Sequence, residues 1–337
     1  MAPEVAVVGA GAWGTAIACH LAARAHAKPR VVLIARSRER ADELKRDRLN
    51  ARYLPGIALP DALAIDHDPA RAARAEIVFI ATPTSALEAV ADTLADAGVR
   101  APLAWLSKGF VRATSADGGT ALAHRRIAPR WPAPVGVVSG PSFAGEVARA
   151  LPTALVAAAT DASLAARAAT LLRGDTLRVY ESDDLTGVEV GGAVKNVLAI
   201  AAGLADGLGY GHNARAALIT RGLAEISRLA VAEGGRRETL MGLAGLGDLV
   251  LTCTSDASRN RQVGLALAAG RPLGAILASL GHVAEGVDAA RAARALAHHH
   301  GIEMPITEAV ASVLDGITPV RDAVEGLLRR EPKADER

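Results

Sequence analysis

Three clusters in the second half of the chain hold the residues best suited to chemistry. The first is Gly191-Gly192-Ala193-Val194-Lys195-Asn196-Val197-Leu198-Ala199, where one lysine and one asparagine stand among small and apolar residues. In a helix, Gly192, Lys195 and Ala199 share a face, so the amine has small neighbours and a ligand can approach it. Burying an ammonium is costly, and desolvation lowers its pKa toward a range useful for proton transfer. A lysine snorkelling from a helix end is the other reading. The second cluster is residues 242–252, in which Asp248 is the one charge in an apolar, glycine-rich run that ends at Thr252. A buried carboxylate needs a partner, and Lys195 is a candidate. Pairing raises the lysine pKa while desolvation lowers it, so the net direction stays open. The third cluster is Ser258-Arg259-Asn260. Ser258 reads as an N-cap, and a helix start bearing an arginine and an asparagine suits a phosphate. Helix capping alone explains this cluster as well.

The first half supplies a different kind of site. Val5-Ala6-Val7-Val8 runs into Gly9-Ala10-Gly11-Ala12-Trp13-Gly14, followed by a helical stretch from Thr15 to Ala25. Placed between a strand and a helix, this GxGxxG is a dinucleotide fingerprint. Gly9 makes the tight turn, Gly11 admits the pyrophosphate to the backbone, and Gly14 allows close helix–strand packing. After the second strand comes Ala35-Arg36-Ser37-Arg38. A strict NAD site carries an acid near here to hold the ribose diol. Arg36 instead offers a cation to a 2′-phosphate, which favours NADP or use of both cofactors; a solvated surface arginine is the plain alternative.

Ligands of a doubly wound sheet bind outside the carboxyl ends of its strands. The tips read Thr82-Pro83, Lys108-Gly109 and Gly140-Pro141-Ser142-Phe143-Ala144. Lys108 is the only cation at these three tips and could meet an anionic substrate. Gly140, Ser142 and Ala144 offer backbone N–H groups and room for a nicotinamide or a substrate.

The elements that must hold these residues are legible in outline. Strands are expected at residues 5–8, 31–35, 77–81, 103–107, 135–139, 154–158 and 178–181. Helical stretches separate the first of them, as in a doubly wound parallel sheet. Continuous apolar runs such as Ile77-Val78-Phe79-Ile80 fit strands buried on both faces. From about residue 186 the β-branched runs stop and Ala/Leu/Gly-rich helical patterns take over, broken at Gly234-Gly235, Arg271-Pro272 and Met304-Pro305. The expected fold is therefore α/β plus α. A Rossmann-type doubly wound sheet over residues 1–185 precedes an all-helical substrate domain over 186–330 and a charged tail over 331–337.

Bulk properties narrow the class. With 337 residues, half of them apolar, the chain can bury two cores. A net charge of +2 argues against nucleic-acid or membrane-surface binding while allowing a local basic pocket. Two cysteines cannot make a disulfide framework, and Cys19 reads as a core thiol in a helix. No signal segment and no uncharged apolar run near ~20 residues is present, so a cytoplasmic protein without membrane insertion is expected. His298-His299-His300 lies outside the motifs, and no chemistry inferred here requires a metal.

Taken in order, the motifs resemble the NAD(P)-dependent glycerol-3-phosphate dehydrogenase family of bacterial type, from Gly9 to about Gly316. The specific stretches are Ser107-Lys108-Gly109, Ser139-Gly140-Pro141-Ser142-Phe143-Ala144, residues 191–196, Thr220-Arg221-Gly222-Leu223, Gly245-Leu246-Gly247-Asp248-Leu249, Ser258-Arg259-Asn260 and Glu285-Gly286-Val287. The resemblance implies hydride transfer between sn-glycerol 3-phosphate and dihydroxyacetone phosphate with NAD or NADP, serving phospholipid synthesis. It makes Lys195 the proton acceptor and lets Asp248 orient it or a substrate hydroxyl. Lys108, Gly140, Ser142, Asp248, Ser258, Arg259 and Asn260 match substrate-contacting positions, and Lys108 and Arg259 also approach the cofactor. Asn196 and Thr252 resemble positions near the substrate. Ala12, Trp13, Arg36, Ala144, Val283 and Glu285 match cofactor positions. Ala12, Thr82 and Thr84 occupy positions that vary within the family. A homodimer is expected. Two alternatives remain at this level: another lysine-using dehydrogenase of the β-hydroxyacid or 6-phosphogluconate type, and a non-catalytic NADP(H)-sensing protein that keeps the fold.

Overall fold

The structure is a computed structural model that describes residues 4–23, 29–112, 119–280 and 284–329. Expectations for Val283 and for the tail 331–337 lie outside these residues.

Eight strands form one sheet: β1 (Glu4–Val8), β2 (Arg30–Ile34), β3 (Ala64–Asp66), β4 (Ile77–Ile80), β5 (Leu103–Trp105), β8 (Val135–Ser139), β9 (Thr153–Ala159) and β10 (Leu177–Ser182). A separate hairpin pairs β6 (Val111–Arg112) with β7 (Thr120–Ala121). The spatial order is β10-β9-β8-β5-β4-β1-β2-β3. Because β2 and β4 flank β1 while the chain runs outward from both, the order reverses at β1. The crevice opens at that reversal, at the strands' carboxyl ends. The apolar runs explain the centre: Val5, Ala6 and Val7 in β1 and all of β4 have no exposed surface. Helices α1 (Ala12–Ala23), α2 (Arg38–Asp47), α3 (Leu87–Asp96), α4 (Ala123–Ile127), α5 (Ala144–Ala148) and α6 (Ala162–Leu172) lie between strands. Cys19 is buried on α1, and burial pushes its thiol up to about 11.

Two features depart from the expected parallel sheet. The edge strand β3 was not anticipated; it is only three residues long and ends on Asp66, so it carries no apolar run. And β9 pairs antiparallel with β8, while every other pairing in the sheet is parallel. The segment joining them holds only the short helix α5, so the chain doubles back beside β8 instead of crossing the sheet. Between β9 and β10 the longer α6 provides a true crossover, and the pairing is parallel again.

Beyond Ser182 the described residues contain helices only: α7 (Leu185–Gly207), α8 (Gly211–Ala232), α9 (Arg237–Leu240), α10 (Asp248–Thr254), α11 (Arg259–Ala268), α12 (Leu273–Leu280), α13 (Glu285–His300), α14 (Pro305–Leu314) and α15 (Val320–Leu328). The 23-residue α7 is long and apolar enough to cross a bilayer, yet its apolar window is wholly buried inside the protein. It is the axis on which the other helices pack, with Val194, Val197 and Leu198 meeting Ala290 and Ala293 of α13 and Val310 of α14 in one core.

Against α7, helix α11 lies backbone to backbone. A Cβ on Gly264 would fall 2.1 Å from the Ile200 carbonyl oxygen, and one on Gly203 equally close to that of Arg261. The Arg261 guanidinium then reaches Asp206 at 2.8 and 2.9 Å and locks the crossing. Since α7 carries Lys195 and α11 opens at Arg259, this crossing fixes one relative to the other. Gly264→Ala should therefore cost about 1–3 kcal/mol, the usual effect of overpacking a tight contact. Thermal or denaturant unfolding measures it, and an unchanged midpoint would mean that the helices separate freely.

Candidate active site

Helix α7 begins where Asp184 caps it, accepting from Gly187 N at 2.8 Å, and the same carboxylate binds Arg236 N and Thr239 Oγ1. Two glycines one turn before Lys195 set how closely its neighbours approach. A Cβ on Gly192 would stand 2.9 Å from Ser139 Oγ, at the tip of β8. A Cβ on Gly191 would stand 2.6 Å from the Ala244 carbonyl oxygen. The bare backbone thus admits the sheet edge on one side and the 243–247 segment on the other. That segment winds as a wide π-type turn, a form common at functional sites, and delivers Asp248 as the first residue of α10.

The charges converge on Asp248, which is 1% exposed. Its Oδ1 accepts from Lys195 Nζ at 2.5 Å and its Oδ2 from Lys108 Nζ at 2.6 Å. Lys195 Nζ also donates to Thr252 Oγ1 at 2.9 Å, one turn along α10, and Lys108 Nζ to the Gly140 carbonyl at 2.8 Å. Burial pushes the Lys195 amine down; Asp248 pulls it back up, Lys108 adds to the lowering, and it settles at about 8. For Asp248, burial alone would raise the carboxyl. The two ammonium groups outweigh burial and hold it below the usual carboxylate range. With both lysines charged, one carboxylate faces two cations, and the surplus favours an anionic ligand.

A chain of amides frames the triad. Asn196 Nδ2 donates to the Lys108 carbonyl at 3.2 Å, its Oδ1 accepts from Asn260 Nδ2 at 2.9 Å, and Asn260 Oδ1 accepts from Gly286 N at 3.1 Å. The β5 tip and the starts of α11 and α13 are thereby tied to the lysine helix. Ser142 Oγ donates to the Gly140 carbonyl at 3.0 Å, and Gly140 holds a φ of +127° that glycine tolerates. Ser258 caps α11, accepting from Arg261 N at 3.3 Å, and is 2% exposed. Arg259 is the first residue of that helix. Its side chain is exposed and makes no hydrogen bond or ion pair with another described residue.

The glycine loop fits a dinucleotide. Gly9 has φ +108° and sits so close to Ala81 that a Cβ would lie 2.9 Å from its carbonyl oxygen. A Cβ on Gly14 would fall 2.0 Å from the Gly9 oxygen. Gly11 has nothing within 4 Å of a Cβ and so leaves its backbone open to a ligand. Ala12 and Trp13 open α1, whose first N–H groups face this loop. Arg36 follows β2 as an exposed cation. Ala144 opens α5, and Glu285 opens α13 with Oε1 accepting from Thr84 N at 3.0 Å and Thr84 Oγ1 at 3.1 Å.

Lys195, Asp248, Thr252, Lys108, Gly140, Asn196, Asn260 and Ser142 therefore form one hydrogen-bonded constellation, with Ser258 and Arg259 at its α11 rim. The glycine loop and Arg36 lie along the sheet edge instead. Sequence reasoning gave Asp248 one lysine partner and missed the second. Its one signal was that Lys108 is the only strand-tip cation. It also missed Asn50, fully buried, which donates to the Ala10 carbonyl at 3.1 Å and Thr15 Oγ1 at 2.7 Å and so braces the glycine loop. His298 and His300 pair with Glu308 and Glu233.

Residues 4–165 match the family described as NAD-dependent glycerol-3-phosphate dehydrogenase N-terminus, and residues 184–325 the corresponding C-terminus. A glycerol-3-phosphate dehydrogenase [NAD(P)+] of Burkholderia lata is 54% identical, the match covering 98% of this chain and 100% of that one. One from Thiobacillus denitrificans is 51% identical over 98% and 99%. The crystal structure of glycerol-3-phosphate dehydrogenase from Coxiella burnetii superposes with a TM-score of 0.90 at 40% identity, covering 97% of this chain and 99% of that one.

Removing the shared carboxylate would leave two buried ammonium groups facing each other. Asp248→Ala should cost about 3–5 kcal/mol of stability, the range for breaking a buried ion pair from one side. Denaturant unfolding of the variant tests this, and wild-type stability would show that the lysines do not depend on Asp248.

Proposed function

The chain belongs to the NAD-dependent glycerol-3-phosphate dehydrogenase family, and we propose that within it Lys195 is the group that carries the substrate proton. The protein is an oxidoreductase that interconverts sn-glycerol 3-phosphate and dihydroxyacetone phosphate by hydride transfer with NAD or NADP. The observation that carries the proposal is the position of one buried amine, held by Asp248 and Thr252 with its pKa brought to about 8. A general base works best when its pKa lies near the operating pH.

The nicotinamide supplies the hydride acceptor or donor when it is bound. In the oxidative direction, neutral Lys195 takes the proton from the C2 hydroxyl. In the reductive direction its ammonium form donates to the carbonyl oxygen and stabilises the negative charge developing there. Asp248 orients the amine, and Lys108 holds Asp248 from the other side. Arg259 and the open start of α11 hold the phosphate, so the non-reacting end of the substrate contributes binding and alignment. The uncommitted Arg259 side chain supports this role. Gly9, Gly11, Ala12, Trp13, Gly14, Ala144 and Glu285 form the cofactor cradle, and Arg36 gives NADP the advantage there. The same reading gives a cytoplasmic homodimer, without nucleic-acid or membrane partners, that supplies glycerol 3-phosphate for phospholipid synthesis. The near-balanced charge of +2 supports the absence of nucleic-acid and membrane-surface partners.

Lys195→Ala should lower turnover by at least about 10²-fold while cofactor binding, followed by nicotinamide fluorescence, survives. In the wild type, oxidation should rise as the pH passes about 8, where the amine becomes neutral, and reduction should fall over the same interval. Near-normal turnover in the variant would remove the assignment. Arg259→Ala should chiefly raise the apparent KM for dihydroxyacetone phosphate, by about 10-fold or more for a lost charge-assisted contact. An unchanged KM would count against the phosphate role.

A further inference from the structure

Beside the β5 tip, against the Glu189–Gly192 stretch of α7, lies a small pocket whose serine and glutamate groups the chemistry above does not use. Thr84, Ser107, Lys108, Ser139 and Glu189 share its walls with apolar side chains such as Trp105 and Val137, and it is a cavity of about 10 Å³, the size one water needs. Ser139 is 1% exposed, and the Oγ atoms of Ser107 and Ser139 are both buried without a hydrogen-bond partner. Ser139 Oγ faces Gly192, 2.9 Å from where a Cβ there would stand. Glu189, 5% exposed, lies three residues before Gly192 on the same helix face. Its Oε2 is 2.5 Å from His124 Nδ1, and its Oε1 accepts from His124 N at 3.3 Å. The His124 side chain remains 17% exposed, so this dyad joins the pocket to the surface.

Buried hydroxyls are seldom left without partners, and a polar cavity offering two to four such groups is where an ordered water sits. We propose that this pocket binds one structural water and that Ser107, Ser139, Glu189 and His124 conduct the substrate proton between the lysine pair and solvent. The inference rests on the reading of Lys195 as the base. Lys195 is 7% exposed, and a bound substrate can only reduce that. A turnover in the oxidative direction nevertheless leaves one proton on its amine. Lys195 passes that proton to Asp248 while Lys108, bonded to the other carboxylate oxygen, releases one of its own to the pocket water and takes the one from Asp248. Both lysines end as they began, and one proton moves on through Glu189 to His124 and out. Other charges around the pocket are already engaged: Arg125 with Glu233, Arg126 and Arg130 with Glu88, Glu285 with Thr84.

Three variants test the path: Ser139→Ala, Ser107→Ala and Glu189→Gln. Expected results are a fall in kcat of about tenfold with little change in the KM for either substrate, a larger solvent deuterium isotope effect, and a shifted pH profile. A crystal structure of the wild type should show one ordered water between the two serine hydroxyls, lost or displaced in Ser139→Ala. If Glu189→Gln fails to fold, the serine variants carry the test. An unaltered isotope effect and pH profile in them, whatever happens to kcat, or a dry pocket in the crystal, would overturn the relay. Should Lys195→Ala abolish turnover while these variants behave as wild type, the relay alone falls. Near-normal turnover in Lys195→Ala would instead remove the base on which it rests.

Discussion

One buried carboxylate serving two ammonium groups organises this molecule. Asp248 cannot sit where it does without Lys195 and Lys108, because an isolated buried carboxylate would give up its charge. Nor can either lysine sit there without it. The three come from the first residue of α10, the middle of α7 and the tip of β5. Satisfying one ion cluster therefore requires the helical part and the strand edge to meet at a single place. The crevice of the sheet and the helical core are joined by the same electrostatic demand that sets the amine's proton affinity.

That meeting is possible because side chains are missing where backbones must touch. Gly191 and Gly192 let α7 approach the Ala244 carbonyl and Ser139; Gly203 and Gly264 let α11 lie on α7; Gly286 lets α13 reach the Asn196 carbonyl, where a Cβ would fall at 2.7 Å. Close backbone approach brings short polar side chains within range of one another, and the amides of Asn196 and Asn260 use it to tie three elements together. The packing around the site is tight because the sequence places glycine at the crossings.

The two ends of the crevice are built differently. At the lysine end, groups are buried, paired and committed, which suits proton transfer at a fixed point. At the α11 rim and beside β2, Arg259 and Arg36 stand exposed. Free cations of this kind can close on a charged ligand that arrives from water and leaves again.

The sequence by itself determined the class of the fold and named most of the residues that the structure brings together around Asp248. The GxGxxG between strand and helix, the double-sided apolar run at Ile77–Ile80, and a lysine and an aspartate isolated in apolar stretches all report local physics that survives without knowledge of the fold. What it could not determine was anything decided by long-range pairing. The antiparallel β9 follows from how the chain turns after Gly140, and β3 is too short and polar to announce itself. The partnership of Lys108 with Asp248 spans residues far apart in the chain, and neither neighbourhood mentions the other. Only the tertiary structure could settle the direction of the Lys195 shift, because that depends on how completely water is excluded and on how many opposite charges remain. Two cations around one anion, in a buried site, is a count that only folding can make.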